Sequence, residues 1–473
     1  MRYFLFCILY FFSTLFISAQ IFDVEIIKDN PGDIDKRINL VILSEGYQAS
    51  ELTKFKTDAE SLVNDMFSQS PFAEYSDYFN VHIIKVPSNE SGADHPGTAT
   101  DVTEPKTPVE TKDTYFNATF DAFNYHRYLF YGIDYTDAAP AEAKIRSVLA
   151  DNFPTYDQAL ILVNTNIYGG IGGEFPMASI SSNEIAIHEL GHSLFNLKDE
   201  YFLSDAVYYS EAINMTQETD PNLVKWKNWI NENGISIYPY GATGVSATWY
   251  KPQDGDKCKM EKLDQPFCSV CKEGIIEKIH SLVSPIESYT PVSNTVSNPS
   301  FPIDFHLNLI KPIPNSLESS WTLNAVNFAT NVDDVNILET DLNTGINNLT
   351  VVVTDNTTLL KVDNHETIHV YMVTWTIDNS SLGVKAIESD INNLKLIMYP
   401  NPANTIANFK IESERDARLK VDIISLDGKR VKTVPISNYI TQQVDISNLS
   451  EGIYIVNFYA NKVLVASKKL VKL

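Results

Sequence analysis

His188-Glu189-Leu190-Gly191-His192 decides how this chain is read. On an α-helix, residues four apart share a face, so His188 and His192 turn two imidazoles towards one point. Two imidazole nitrogens at that spacing suit Zn²⁺, and the adjacent carboxylate of Glu189 then reaches a metal-bound water as general base. The flanks agree. Ala159-Leu160-Ile161-Leu162-Val163 is a short apolar run that reads as a strand. Gly169-Gly170-Ile171-Gly172-Gly173 reads as a turn or rim, and Met177-Ala178-Ser179-Ile180 as a short extended piece. Ser181, Ser182 or Asn183 can cap a helix beginning near Glu184. Ile185, Ala186, Leu190, Leu194 and Phe195 surround the motif with apolar side chains. Polar groups in such surroundings need partners, and a metal supplies one.

A zinc ion that keeps one position open for water takes three protein ligands. Asp199 lies seven residues past His192, two turns away if the helix were continuous. The chain must therefore leave the helix and fold back. Asn196 suits the bend, because Asn tolerates the left-handed conformation that often ends helices. Asp199 is the expected third ligand and Glu200 its adjacent alternative. A thermolysin-like arrangement would draw the ligand from a later helix, with Glu211 or Glu218.

From His188 to Tyr201 the chain reads HELGHSLFNLKDEY. This stretch resembles the motif of the IgA-peptidase family of zinc metallopeptidases, with Asn196 where that family often has Gly. Further blocks carry the resemblance from roughly Asp23 to Val283: Leu40–Tyr47, Pro71-Phe72 with Phe79-Asn80-Val81, Pro87–Pro96, Tyr250-Lys251-Pro252, Cys258-Lys259-Met260 and Phe267–Cys271. The resemblance implies a zincin or metzincin-like catalytic domain and a protein or peptide substrate, host immunoglobulin or another glycoprotein among the candidates. It also makes Met260 the methionine of a turn beneath the zinc. Tyr201 and Tyr250 are the tyrosines it offers for steadying an oxyanion.

The chain has 473 residues, 44% of them hydrophobic, and a net charge of −24. That length suits about three domains of ~150 residues each. The acidity argues against nucleic acid as partner and fits a soluble extracellular monomer. Residues 1–19 read as a signal peptide, with Arg2, the apolar run Phe4–Ile17 and the small pair Ser18-Ala19 before a cut that leaves Gln20 first. No later segment is apolar enough to span a membrane. Of four cysteines, Cys7 leaves with the signal. Among Cys258, Cys268 and Cys271 an exported protein is expected to form a disulfide bond, either Cys258–Cys271 or Cys258–Cys268. The pair Cys268-x-x-Cys271 is also compatible with a redox pair or half a zinc site.

Residues 20–285 alternate strands and helices, an α/β (α+β) pattern. Strands are expected over Asn39–Leu43, Asn80–Val86 and Ala159–Val163, and helices near Ser50–Phe67, Ala141–Asp151, Pro221–Asn231 and Lys272–Leu282. Residues 286–302 form a Ser/Pro/Thr/Asn linker. Residues 303–390 carry short strand-like runs that suggest an Ig-like β-sandwich. His365 and His369 fall there on an apparent strand and read as surface or cross-strand residues. Residues 394–473 form a second all-β sandwich with Asp-Gly and Glu-Gly turns. Its Tyr399-Pro400-Asn401-Pro402, Leu449-Ser450-Glu451-Gly452-Ile453-Tyr454 and basic end Lys468–Leu473 resemble the type IX secretion C-terminal sorting domain. That implies the type IX machinery as partner and a place outside a Gram-negative cell, released or on its surface. Together these features describe a secreted zinc endopeptidase. A catalytically silent adhesin with a structural zinc is the alternative, which would have no use for Glu189.

Overall fold

The computed structural model describes residues 20–202, 210–241, 248–297, 299–380, 394–413, 418–426, 428–437, 440–461 and 463–473. The signal-peptide reading, Cys7 and the boundary near residue 390 lie outside them. The chain is a mixed α/β protein with several β-sheets and few helices, and it divides into two compact units. The first takes residues up to Thr290 together with Asp304–Ile337 and Asn348–Thr374.

A six-stranded mixed sheet forms the centre of this unit. Its strands are β1 (Asp23–Lys28), β2 (Ile38–Glu45), β3 (Phe79–Lys85), β4 (Gln158–Val163), β5 (Gly170–Ile171) and β6 (Met177–Ser179). Their order is β1-β3-β2-β4-β6-β5. β2, β3, β4 and β6 run parallel, while β1 and β5 close the two edges antiparallel. The alternation of strand side chains explains why both faces are covered. Ile38, Leu40 and Ile42 of β2 and Leu160 and Leu162 of β4 enter one core. Val41, Leu43, Ala159, Ile161 and Val163 enter the other.

The first core packs helices α1 (Leu52–Met66), α3 (Asn183–Ser193) and α4 (Ser269–Leu282) on one face. The second takes α2 (Ala139–Asn152) and the loops between β3 and α2. At the end of β2, Glu45 is fully buried and accepts hydrogen bonds from the Phe116 and Ala118 amides at 2.9 Å each. Burial pushes its carboxyl above the usual range, against those bonds. The helix expected over Pro221–Asn231 is a series of turns around one 3₁₀ turn at Lys227–Trp229. Trp226 and Trp229 are buried there and set the segment by packing rather than by helical repeat.

Strands after α4 join the same unit. Leu317–Leu323 pairs antiparallel with Val326–Thr330 and, along Leu349–Asp355, with the next strand. Buried polar contacts tie them to α4 and the segment before β3. Asp355 accepts from the Tyr75 hydroxyl at 2.6 Å and lies 2.9 Å from His280 Nε2. His365 and His369 differ from the strand reading. They flank one helical turn, His365–Ile368, and both contact Glu277 of α4, at 2.5 and 2.9 Å. Asn364, at φ 62°, turns the backbone out of the extended path and starts that turn.

In the second unit, Leu394–Tyr399, Ile406–Ser413 and Gln442–Asp445 form one sheet. A second orders Arg430–Ile436, Leu419–Ser425, Gly452–Ala460 and Val463–Lys472. Phe409, Val421, Ile423, Val456, Phe458 and Leu470 fill the core between them. The basic end is a strand, and Asn401 fastens it. Its amide donates to Lys469 O and its carbonyl accepts from Val471 N, both at 2.8 Å.

Burial alone would raise the Glu277 carboxyl, but the hydrogen bonds from His365 and His369 outweigh it and hold it at about 2. A folded-state value below the unfolded one means stability that is present above pH ~4.5 and is lost as pH falls towards 2. Glu277→Gln should therefore lower Tm at pH 7, and the gap from wild type should close between pH 4.5 and 2 in calorimetry.

Candidate metal centre

α3 carries His188 and His192 towards the same point, as the spacing demands. Its N-terminal turn is held by Glu184, which pairs with the buried Lys259. Two backbone carbonyls then choose which nitrogen each ring presents. His188 Nδ1 lies 3.1 Å from Lys259 O, and His192 Nδ1 lies 2.8 Å from Leu197 O. A carbonyl only accepts, so each Nδ1 donates and, in the neutral ring, each Nε2 carries the lone pair. The two Nε2 atoms are 3.1 Å apart.

The helix ends in a Schellman-type reversal. Asn196 N donates to His192 O and Leu197 N to Gly191 O, at 3.1 and 2.9 Å, with Asn196 at φ 57°. The bend returns the chain, and Asp199 Oδ1 arrives 3.1 Å from both Nε2 atoms. The returning segment is braced on each side. Buried Asn214 accepts from Lys198 N and donates to Lys198 O, at 2.9 and 2.8 Å. Glu200 N donates to Met260 O at 2.7 Å, and Lys251 Nζ to Glu200 O at 2.8 Å. Burial works against charge on His192, yet Asp199 beside it raises the imidazole to about 9. Burial would also raise Asp199, but the two imidazoles pull it below its usual range.

Met260 lies under the histidine helix, its Sδ 3.0 Å from where a Cβ on Gly191 would stand. Glu189 faces the glycine rim: a Cβ on Gly170 or Gly172 would come 3.4 or 3.2 Å from its carboxylate oxygens. Burial raises the Glu189 carboxyl, against the pull of His188 and His192. Tyr201 stacks near His188, ring centroids 6.4 Å apart. Tyr128 also feels the charges of Asp199 and Glu189, and sequence reading had no signal for it. It missed Asn214 and Lys251 for the same reason: their roles are bonds to a backbone that only the fold brings near.

The other sequence candidates lie elsewhere. Glu200 points away into a fully buried pocket, where it accepts from Asn214 Nδ2 at 2.9 Å. Glu211 pairs with Lys225 at 2.6 Å, and Glu218 accepts from the Thr219 and Asp220 amides. Tyr250 exchanges backbone bonds with Thr216. The expected disulfide is not formed in the structure. Cys258, Cys268 and Cys271 are buried thiols, and the Cys258 and Cys271 sulfurs stand 3.6 Å apart, against about 2.05 Å for a bond. Glu200 Oε1 lies beside both sulfurs, accepting from Cys271 at 3.2 Å and Cys258 at 3.5 Å.

Residues 25–246 match the profile of the IgA peptidase M64 family. That stretch is thus similar to a family of metallopeptidases, and the His188–His192–Asp199 group is one of the clusters among the described residues that could hold a metal. Residues 397–473 match the secretion system C-terminal sorting domain, which places the protein outside the cell or on its surface in a Bacteroidetes-type Gram-negative bacterium. No curated protein matches it. Likenesses to solved structures are slight. The dimeric latent PorU of Porphyromonas gingivalis is 17% identical over 33% of this chain and 14% of that one, with a TM-score of 0.16. The beta-glucuronidase 3 of Bacteroides uniformis is 12% identical over 48% of this chain and 28% of that one, with a TM-score of 0.15. Among the described residues no helix is long and apolar enough to cross a membrane.

The left-handed bend gives a direct test. Asn196→Gly should leave metal content and Tm near wild type. Asn196→Val, with a β-branched side chain at φ 57°, should cost at least about 1–2 kcal/mol and reduce bound metal. Calorimetry and metal analysis of both variants check it.

Proposed function

We propose that this protein is a secreted zinc endopeptidase with a metzincin-like catalytic unit, in which His188, His192 and Asp199 hold the metal and Glu189 is the general base. One observation carries the reading: His188 Nε2, His192 Nε2 and Asp199 Oδ1 form a triangle with three sides of 3.1 Å. Ligands about 2.0–2.1 Å from a tetrahedral zinc are separated by roughly 3.3 Å, so these donors fit one face of that tetrahedron. The donor set of two imidazoles and a carboxylate, with both imidazoles oriented by carbonyls, is also what zinc prefers. Met260 is the methionine of the turn beneath.

Bound zinc supplies Lewis acidity, polarising a scissile carbonyl and lowering the pKa of water. The protein's own residues do the rest. Glu189 takes a proton from the attacking water and returns it to the leaving amine. Its carboxylate faces Gly170 and Gly172, whose missing side chains leave room for a substrate backbone. β5 is the edge strand of the sheet, the side on which an extended peptide would lie beside the base, with its Gly170 N already donating to Arg127 O. Substrates are extracellular proteins, host immunoglobulins and other glycoproteins being the first to try.

Glu189→Ala should retain metal and lose peptidase activity by several orders of magnitude, whereas Asp199→Ala should lose metal. Glu211→Ala and Glu218→Ala should lose neither. Metal analysis beside a quenched-peptide assay separates these outcomes, and wild-type turnover by Glu189→Ala would sink the mechanism.

The sorting domain is expected to act in export alone. A chain ending at Ser389 should cleave peptides once purified, yet remain periplasmic in a host with type IX secretion. Fractionation by immunoblot reads the result, and efficient secretion of the shortened chain counts against the assignment.

A further inference from the structure

The first compact unit holds a second group of convergent donors, in the long loops between β3 and α2. His95, Glu104, Asp121 and His126 bring ligand atoms together from positions spread over the loops. The His95 and Asp121 side chains are wholly buried, and Glu104 is 6% and His126 15% exposed. His95 Nε2 lies 3.5 Å from Asp121 Oδ1 and 3.6 Å from Glu104 Oε2. His126 Nδ1 lies 2.5 Å from Glu104 Oε1 and 3.6 Å from Asp121 Oδ1.

These approaches are not a hydrogen-bond network. Glu104 Oε1, Asp121 Oδ1 and His126 Nδ1 are buried and make no hydrogen bond. Buried polar atoms without partners are rare, because each costs about 1–3 kcal/mol and more if charged. Here three such atoms point at one another. The remaining atoms of the same side chains are satisfied from outside. His95 Nδ1 lies 2.9 Å from Pro108 O and so donates, which frees Nε2, with the Thr107 hydroxyl 3.1 and 3.3 Å from the two ring nitrogens. Asp121 Oδ2 accepts from Thr98 N and Glu104 Oε2 from Lys106 N, both at 2.7 Å. Outer atoms held by backbone and inner atoms left bare is the pattern of ligands oriented by their surroundings.

We propose that His95, Glu104, Asp121 and His126 bind a structural Zn²⁺, separate from the His188–His192–Asp199 site. Two imidazole nitrogens and two carboxylate oxygens complete a tetrahedral set, whose edges of roughly 3.3 Å compare with 3.5 and 3.6 Å from Asp121 Oδ1 to His95 Nε2 and His126 Nδ1, while the 2.5 Å edge from His126 Nδ1 to Glu104 Oε1 would lengthen around the ion. Four protein ligands leave no position for water, so this ion is not catalytic. Its task is mechanical. The loops around it have little regular structure, only isolated bridges such as His95 with Glu110 and Thr119 with Phe130. The ion would cross-link three parts of them. It would also brace the rim of the cleft, because Arg127, next to His126, accepts a hydrogen bond from Gly170 N of β5 at 3.1 Å through its carbonyl.

The test is a count of zinc in full-length protein, equilibrated with zinc and freed of excess. Wild type should hold two ions per chain. The double variant Asp121→Asn/His126→Ala should hold one and keep its Glu189-dependent chemistry. The double variant His188→Ala/His192→Ala should also hold one, and the combination of all four should hold none. A second ion lost with Asp121 and His126 but kept without His188 and His192 separates this site from the proposed catalytic one. One ion in wild type, or an unchanged count in Asp121→Asn/His126→Ala, overturns the proposal. Zinc-edge anomalous scattering from wild-type crystals needs no variant. A peak among the four donors is expected, and its absence overturns the assignment.

Discussion

Two backbone carbonyls, Lys259 O and Leu197 O, are the constraint on which the centre depends. By accepting from Nδ1 of His188 and His192, they turn both Nε2 atoms towards Asp199. Each carbonyl comes from a different device. Leu197 lies just past the left-handed residue that reverses the chain, and Lys259 precedes the methionine that packs beneath the helix. The geometry of three side chains is therefore set by main-chain positions that the fold fixes before any ion arrives. That is preorganisation: the cost of orienting the rings is met during folding.

The same logic explains why so much polar structure is buried around the return segment. Asn214 satisfies both backbone groups of Lys198, and the Lys251 ammonium and the Met260 carbonyl satisfy those of Glu200. A loop that enters the interior would otherwise carry unpaired amides and carbonyls. With those groups paired, Asp199 is held from both neighbours, and its carboxylate has little freedom to swing away from the histidines.

What could be read from the chain beforehand was whatever is local or periodic. β2, β3, β4 and the helices α1 to α4 follow from apolar runs, although Ser182 at the N-cap of α3 makes no side-chain cap bond, and the bend at Asn196 follows from residue type alone. The pairing of His188, His192 and Asp199 needed only helix geometry plus that bend. The failures are all non-local. His365 and His369 looked like strand residues until Asn364 turned the backbone and Glu277 arrived from α4. The three cysteines looked like disulfide partners because a buried carboxylate that accepts from two of the thiols leaves no trace in spacing. Trp226 and Trp229 organise turns where composition suggested a helix. His95 and His126 carried no recognisable spacing, since their loops are folded by contacts with β2 and β5.

β5 is only two residues long, Gly170–Ile171, and it ends the sheet. Exposed sheet edges invite pairing with other copies of the chain, and a long one would be an aggregation hazard at the concentrations of a secreted protein. An edge this short offers too few main-chain groups to template a partner strand. On the proposed reading it would register one short stretch of an incoming peptide and no more. Selectivity among peptides would then have to come from side-chain contacts beyond the strand, since so brief a ladder distinguishes extended from folded chain but not one sequence from another.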